Sequence, residues 1–345
     1  MKTVTVAAIS DRRGRWDPAA TGRAVELLRK GDVVALPTET VYGLAANALN
    51  PIAVAKIFEA KERPRFDPLI VHLPNREWLG RIAKLPARDR QLILKLADKF
   101  WPGPFTMVLP KLEIVPDIVR AGLDTVAVRL SAHPVFANIV GELDEPLAAP
   151  SANRFGGVSP TTSQHVLDEL EGRIPLIVDA GPTEHGIEST IIAVRDDRIA
   201  ILRRGPITQE QLSQLGQVSS VIATQKISSP GQLPSHYAPK TPLRLIDSAE
   251  AFSPGKGQRV GLLAWHIREG DPQIAQRQTG DRGPLKFAEV RSLSGRQDLR
   301  EAAANLFRYL RELDALSLDL IVAERVPCHG LGASIMDRLE RASHE

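Results

Sequence analysis

The sequence predicts an α/β protein in which two domains are joined by a long linker. Over roughly the first 200 residues, short apolar runs alternate with amphipathic stretches, which is the pattern of strands and helices in one sheet. Residues 217–242 lose this periodicity, and Leu243 restarts it. We therefore predict a first domain at 1–215, a linker at 216–241 and a smaller second domain at 242–345.

Helices and strands of the first domain alternate along the chain. The helical spacing of Ala20, Ala24 and Leu28 predicts a helix that Gly31 ends. Pro51–Lys61 is predicted as a helix because proline suits a first helical turn. Further helices are expected at 87–100 and 208–215, and strands at 33–37, 69–72, 105–109, 126–130, 147–149, 176–178, 190–194 and 199–202.

The linker and the second domain differ in composition and in periodicity. Ser, Gln, Pro and Gly dominate 217–242, a composition typical of a linker. After it, the chain of about a hundred residues predicts a smaller α/β domain. Its long helix is expected at 299–316, and its strands at 243–246, 260–265, 287–293 and 320–323.

The composition is that of an ordinary soluble protein and excludes several classes of site. Hydrophobic residues make up 43% and charged residues 25%, and a formal net charge of +3 excludes a strong polyanion binder but permits a local basic cleft. With one cysteine, Cys328, neither a disulfide framework nor a cysteine zinc site is expected. No apolar run approaches the roughly 20 residues of a membrane span, and the N-terminus lacks a signal-peptide pattern. We therefore expect a cytoplasmic protein.

Two polar segments directly follow predicted strands, where open α/β sheets gather their binding groups. The first, PTETVYGL at 37–44, brings two hydroxyls, a carboxylate and a phenol together. Its alternative is a turn whose threonines cap a helix. The second, APSANRFGGVSP at 149–160, has small residues that let backbone amides approach an anion. Its alternative is a plain surface turn.

A basic segment at 56–72 predicts an anion site. Lys56, Lys61, Arg63 and Arg65 lie at the end of a predicted helix and in the proline-stiffened loop after it. Such side chains suit triphosphate oxygens, and arginine offers a planar fork. A solvated basic helix end, favoured by the helix dipole, explains the charge equally well. His72, at the end of the next strand, is by itself more typical of a structural histidine.

Arg129 lies in an otherwise apolar strand, where its charge needs either a bound anion or a structural carboxylate partner. The sequence leaves both open. Two glycine-flanked polar turns, GIEST at 186–190 and LRRG at 202–205, border strands and would complete a pocket. The chain has no Walker loop, nucleophile elbow or zinc motif, so any metal is expected to be Mg²⁺ that arrives with nucleotide phosphates.

Taken together, four ordered motifs resemble the YrdC-like family of threonylcarbamoyl-AMP synthases. PTETVYGL, K-x-R-P-x-x-x-P-L-I-V-H, APSAN and G-x-E-S-T occur in the family's order and approximate spacing. The tail domain and an S-x-x-x-x-x-x-H-Y-A-P linker resemble the family's two-domain branch. The resemblance implies a twisted open mixed sheet with helices in the first domain, and a Rossmann-like α/β fold in the second.

The activity implied by this resemblance joins L-threonine, bicarbonate (or CO₂) and ATP, with its Mg²⁺, into threonylcarbamoyl adenylate and pyrophosphate. The product would pass to a separate transferase that modifies tRNA. No side chain is implied as a catalytic acid or base. The metal would be carried by ATP, and Asp67 would contact the ribose or this metal rather than phosphate.

The resemblance also implies which residues bind each substrate. Threonine would be held by Thr40, His72, Arg129 and the backbone of Ala149. Tyr237 would come from the linker, folded over the nucleotide as a lid. Lys56, about one helical turn before Lys61, would face the same cleft. The ATP side would be lined by Lys61, Arg63, Asp67, Thr125, Ser151, Asn153, Ser159 and Arg203.

Two departures from the family pattern and two alternative functions accompany the resemblance. The linker usually reads close to PGMKYRHYAP, but here 230–239 reads PGQLPSHYAP, so the usual basic linker contacts are not expected. Ser131 replaces a proline and leaves His133-Pro134 in place. One alternative is an RNA-binding module without turnover, which aromatic residues at only 5% disfavour. The other, a carbamoyl-transferring maturation factor, would carry zinc-finger cysteines, which a chain with one cysteine lacks.

Overall fold

The computed structural model describes residues 2–8, 17–219, 237–267 and 287–343. These residues divide into two compact units. The larger unit holds 2–8, 17–155 and 159–219, and the smaller holds 156–158, 237–267 and 287–343. Three residues from the middle of the predicted first domain therefore belong structurally to the smaller unit.

The larger unit alternates helices with strands along the chain. Its described helices are α1 (Pro18–Arg29), α2 (Pro51–Lys61), α3 (Leu79–Ile82), α4 (Arg90–Phe100), α5 (Asp117–Arg120), α6 (Pro134–Leu143), α7 (Ser163–Leu170) and α8 (Gln209–Ser213). Its described strands are β1 (Val4–Ala7), β2 (Val34–Leu36), β3 (Gly43–Asn47), β4 (Ile70–His72), β5 (Phe105–Pro110), β6 (Thr125–Arg129), β7 (Leu147–Ala148), β8 (Leu176–Asp179), β9 (Thr190–Arg195), β10 (Arg198–Arg203) and β11 (Gln217–Ser219).

These strands form one mixed sheet in the order β1-β8-β2-β3-β7-β4-β6-β5-β9-β10-β11. Parallel pairs such as β4 with β6 alternate with antiparallel pairs such as β5 with β6. The predicted mixed sheet with helices is confirmed. β11 pairs with β10 although its residues fall in the predicted linker, because backbone pairing at a sheet edge does not need an apolar pattern. The rest of that linker prediction, 220–236, lies outside the described residues.

Helices cover the sheet and hold the site-bearing segments in place. α1 and α6 pack together against β2 and β8 through residues such as Leu28 and Phe136. α2 packs on the main core through Ile57. It begins where the Asn50 side chain accepts two backbone N–H groups, and it ends where Glu62 adopts a left-handed φ of 54°. This geometry fixes Lys61 at the last turn of the helix.

The smaller unit has a parallel sheet of four described strands, in the order β12-β15-β13-β14. Its elements are β12 (Leu243–Ile246), β13 (Val260–Ala264), β14 (Glu289–Ser292), α9 (Leu299–Asp314), β15 (Leu320–Glu324) and α10 (Leu331–Ala342). The predicted Rossmann-like α/β architecture is confirmed. Within the described ranges, no helix of either unit has the length and apolar character that crossing a membrane requires.

The substitution Gly332→Ala is expected to destabilise the smaller unit. A Cβ atom at Gly332 would lie 1.7 Å from the backbone oxygen of Pro327, so α10 must shift. Overpacking against backbone costs about 2–3 kcal/mol. Amide hydrogen exchange of α10 measures this loss as faster exchange.

The control is Gly295→Ala in the same unit, since a Cβ atom there meets no atom within 4 Å. It is expected to leave exchange unchanged or slightly slower. Equal exchange of α10 in the two variants would contradict the tight packing of Gly332.

Candidate active site

Strand register brings three polar side chains into one row. His72 of β4 pairs with Arg129 of β6, and Arg129 pairs with Thr106 of β5. Because paired residues point to the same face of a sheet, the three side chains lie side by side. All three are buried, and Arg129 is only 3% exposed. The row therefore places one buried cation, Arg129 of β6, between polar side chains of the neighbouring strands β4 and β5.

Arg129 is held by a dense set of acceptors. Its Nη1 and Nη2 donate to Oγ1 of Thr40 at 3.0 and 3.1 Å, and its Nε donates to the backbone oxygen of Gly103 at 3.3 Å. Nη2 also lies 2.8 Å from Oε1 of Glu39, whose other oxygen accepts a hydrogen bond from the Ser131 hydroxyl. The structural carboxylate partner that the sequence left open is therefore Glu39. The Arg129 guanidinium group also contacts the hydroxyl of Thr40.

The pKa values of this group follow from burial and from the arginine. Burial disfavours the ionised form of Glu39, but the Arg129 charge and hydrogen bonds outweigh it and lower the pKa to about 2. Burial, followed by the Arg129 charge, lowers the pKa of His72 to about 3, although the Glu39 charge and then the Ala149 backbone oppose the shift. At neutral pH, Glu39 is therefore an anion and His72 a neutral imidazole. The His72 ring packs 4.7 Å from that of Phe136.

A cavity of about 480 Å³ has one member of the ion pair, Glu39, in its wall. Glu39 lines it, together with His133, Glu184 and His185. Burial lowers the pKa of His133, which favours its neutral form. A volume of this size suits a small polar molecule.

Lys61 is a buried lysine that organises the 151–153 loop. Its Nζ donates to the backbone oxygens of Ser151, at 2.6 Å, and of Asn153. Only 1% of Lys61 is exposed, and burial, followed by the Arg63 charge, lowers its pKa well below the usual range. A solvated basic helix end is therefore excluded for Lys61. The side chain ties the end of α2 to the loop that follows β7.

Arg63 and Asp67 form a second buried ion pair. Nη2 of Arg63 lies 2.8 Å from Oδ2 of Asp67 and donates to the backbone oxygen of Pro68 at 3.0 Å. Burial raises the pKa of Asp67, although the Arg63, Lys61 and Arg203 charges oppose the shift. Lys56 does not join this group, because it pairs instead with Asp32 at a separate cavity.

A third group extends from the Arg129 row to β10. Arg203 donates from Nε and Nη2 to the backbone oxygen of Ser189, at 3.0 and 2.9 Å, and from Nη2 to its hydroxyl. That hydroxyl lies 2.8 Å from Oγ1 of Thr106, the register partner of Arg129. Ser159 donates to Glu188 in the same turn. Hydrogen bonds therefore connect Arg203 to the Arg129 row.

Three predicted residues remain. Thr125 is at the opposite end of β6 from Arg129, about 13 Å away at the usual rise of a strand. Tyr237 belongs to the smaller unit, where its ring stacks on that of Phe307 at 5.4 Å. The backbone N–H of Ala149 donates to Ile70, beside His72.

Sequence reasoning missed several residues of the site. Glu39 and Ser189 stand inside two recognised motifs, but nothing in those motifs indicates their partners. Thr106 was detectable only as a hydroxyl in an otherwise apolar strand, and Ser131 only as a replaced proline. In the described part of the chain, no group of three or more His, Cys, Asp or Glu residues is placed to hold a metal ion.

The substitution His72→Gln is expected to flatten the dependence of the unfolding free energy on pH. The folded chain keeps this imidazole neutral down to about pH 3, whereas the unfolded chain protonates it near pH 6.5. Between these values the unfolded state binds more protons, so stability falls as the pH falls. The contribution of His72 is about 2 kcal/mol between pH 7 and pH 5. Urea unfolding at both pH values measures it.

The matched control is Phe136→Leu, which disturbs the same packing but keeps the imidazole. It is expected to lower stability by a similar amount at both pH values. If His72→Gln and the unsubstituted chain lost equal stability between pH 7 and pH 5, a neutral buried His72 would be excluded.

Two family models match this chain. A family model described as telomere recombination (Sua5, YciO and YrdC) matches residues 26–205. A second model, described as the C-terminal domain of threonylcarbamoyl-AMP synthase, matches residues 207–344. Together the two models span both units.

Full-length relatives give the same result. The threonylcarbamoyl-AMP synthase of Bacillus subtilis is 39% identical over 97% of this chain and 96% of its own length. That of Pyrococcus abyssi is 38% identical over 93% of each. A crystal structure of P. abyssi Sua5 complexed with L-threonine has a TM-score of 0.84 at 34% identity, covering 99% of this chain and 97% of that one. This chain therefore belongs to the threonylcarbamoyl-AMP synthase family of nucleotidyltransferases.

Proposed function

We propose that this chain is an L-threonylcarbamoyladenylate synthase, which converts L-threonine, bicarbonate (or CO₂) and ATP into L-threonylcarbamoyladenylate and pyrophosphate. The observation that carries the proposal is the buried Arg129 fork, shared between Glu39 and Thr40. Family membership and the threonine complex of the P. abyssi protein support it.

The Arg129–Glu39 pair suits a free amino acid. An amino acid is a zwitterion, and this pair offers a cation for its carboxylate beside an anion for its ammonium group. Because the pKa of Glu39 is about 2, the anion persists at any physiological pH. His72 is neutral there, so it adds hydrogen-bonding capacity without repelling the ammonium group. In this proposal Thr40, His72, Arg129 and the Ala149 backbone hold threonine.

The nucleotide is proposed to bind along the Lys61, Arg63 and Arg203 side. Lys61 fixes the backbone at Ser151 and Asn153, and Arg203 fixes the turn at Ser189. Asp67, Thr125, Ser159 and Tyr237 complete the proposed ATP residues. Asp67 already faces Arg63 at 2.8 Å, so its carboxylate is matched to a cation of the protein. Mg²⁺ is therefore assigned to the phosphates of ATP, whose charge it would neutralise.

The chemistry needs positioning more than acid–base groups. The threonine ammonium group loses one proton to solvent and its lone pair attacks the carbon of CO₂. The nitrogen then loses a second proton to solvent, which gives a carbamate. A carbamate oxygen then attacks the α-phosphorus of ATP, and the bond to pyrophosphate breaks. Both steps join two bound molecules, so holding them at reacting distance removes much of the barrier. Fixed cations stabilise the negative charge that develops.

The product is a mixed anhydride and would react with nucleophiles. We propose that a separate transferase in the cytoplasm consumes it to form threonylcarbamoyladenosine in tRNA. The proposal does not require stable binding of tRNA by this chain.

Release of pyrophosphate from ATP is expected to require both threonine and bicarbonate. Omission of either should reduce the rate to background, because the attacking oxygen belongs to the carbamate. A coupled pyrophosphate assay with each component omitted in turn measures this. An equal rate without threonine would exclude the proposed activity.

The substitution Arg129→Lys is expected to raise KM for threonine about 30-fold and leave KM for ATP within about threefold. Lysine keeps a charge opposite Glu39 but loses the planar fork, so the fold is disturbed less than by alanine. Steady-state kinetics with each substrate varied measures the two constants.

Two further variants complete this test. Lys61→Met, which releases the Ser151 and Asn153 carbonyls, is expected to show the opposite selectivity and raise KM for ATP. Arg88→Lys at an exposed arginine is expected to change neither constant. An equal rise in both constants for Arg129→Lys would contradict the role given to Arg129.

A further inference from the structure

Two residues of one short segment hold the two oxygens of the Glu39 carboxylate. Nη2 of Arg129 lies 2.8 Å from Oε1, and the Ser131 hydroxyl donates to Oε2. Arg129 ends β6 and Ser131 is the second residue after it, so both groups come from the same stretch of the larger unit. None of the three residues is more than 4% exposed, so these contacts are made away from bulk water.

The partners of the Ser131 hydroxyl determine the direction of its proton. Its oxygen accepts the backbone N–H of His133 at 3.3 Å, and an N–H group is only a donor. The ionised carboxylate of Glu39 is only an acceptor, so the hydroxyl proton lies towards its Oε2 atom. Hydrogen bonds to an ionised acceptor are stronger than those between neutral groups. Ser131 therefore makes a charge-assisted hydrogen bond to Glu39.

The backbone on both sides of Ser131 is held in place. The backbone oxygen of Leu130 accepts the N–H of Gly103 at 2.8 Å, and that of His133 accepts the N–H of Ala137 in α6 at 2.9 Å. The hydroxyl therefore has a defined position. The last torsion of a glutamate side chain has no strong preference of its own, so a hydrogen bond from a fixed donor restricts the rotation of the carboxylate.

The carboxylate in turn restricts the Arg129 guanidinium group. Glu39 brings a negative charge to this guanidinium, whereas its other acceptors, the Thr40 hydroxyl and the Gly103 backbone oxygen, are neutral. A rotation of the carboxylate would move the charged acceptor, and the planar guanidinium would turn with it. Ser131 thus influences the direction of the Arg129 N–H groups through Glu39.

We propose that Ser131 is a positioning residue for threonine, which fixes the Glu39 carboxylate and through it the Arg129 guanidinium group. This inference rests on the proposed function, since it takes Arg129 as the residue that binds the threonine carboxylate. A guanidinium group that is oriented before the ligand arrives loses less conformational entropy when the ligand binds. Ser131 is assigned no contact with the substrate.

The test is Ser131→Ala in the full chain, which removes the hydroxyl and adds no new group. KM for threonine is expected to rise about tenfold, while kcat and KM for ATP stay within about threefold. Steady-state kinetics with each substrate varied measures the three constants. A purely structural role for Ser131 would lower thermal stability and change all three constants together.

The double variant Ser131→Ala with Arg129→Lys shows whether Ser131 acts through Arg129. Lysine has no planar group to orient, so KM for threonine is expected to keep the roughly 30-fold rise of Arg129→Lys alone. Two independent effects would multiply to a rise of about 300-fold. That product would overturn the inference, and so would an unchanged KM for threonine in Ser131→Ala.

The matched control is Thr208→Ala, since the Thr208 hydroxyl also accepts a backbone N–H, that of Gln211 at the start of α8. Loss of this helix cap is expected to lower thermal stability and to leave all three kinetic constants unchanged. An equal rise of KM for threonine in Thr208→Ala and Ser131→Ala would contradict a role that is specific to Ser131.

Failure of the inference and failure of the proposed function give different results. Calorimetry measures the binding of L-threonine at equilibrium and needs no turnover. If the unsubstituted chain binds threonine but releases no pyrophosphate, the proposed function fails, and the inference is decided by whether Ser131→Ala weakens threonine binding about tenfold. If the chain releases pyrophosphate and Ser131→Ala binds threonine as tightly as the unsubstituted chain, only the inference fails.

Discussion

The site depends on one buried ion pair, between Arg129 and Glu39. Removing two charges from water is unfavourable, and the pair is stable only if its remaining donors and acceptors are satisfied. Thr40, Gly103 and Ser131 satisfy them. These partners come from three separate stretches of chain, so the pair exists only when β6 with the residues after it, the turn after β2 and the turn before β5 are assembled. The fold and the proposed threonine site therefore form together.

The other cations of the site follow the same physical rule. Lys61 binds two backbone carbonyls, Arg63 binds Asp67, and Arg203 binds the Ser189 carbonyl and hydroxyl. Each cation is thus oriented before any ligand arrives. Gly205 shows how closely the backbone is packed there, since a Cβ atom would lie 2.4 Å from the nitrogen of Thr190. Groups oriented in advance need no reorganisation during a reaction, which is the condition for electrostatic catalysis.

Local patterns predicted the elements that local chemistry determines. The helix Pro51–Lys61 was predicted at its observed bounds, because Asn50 and Pro51 begin it through local interactions. β3, Gly43–Asn47, was missed because Gly, Leu, Ala and Asn do not resemble a strand. Its pairing with β2 and β7 determines its conformation instead. Glu39 and Arg129 are separated by 90 residues, so no local pattern could indicate their ion pair.

The same limit explains why 156–158 was predicted within the first domain. Amino-acid composition changes at a linker, but composition does not indicate a hydrogen bond between the Arg311 side chain and the backbone oxygen of Val158. A domain boundary derived from composition is continuous along the chain, whereas packing is not.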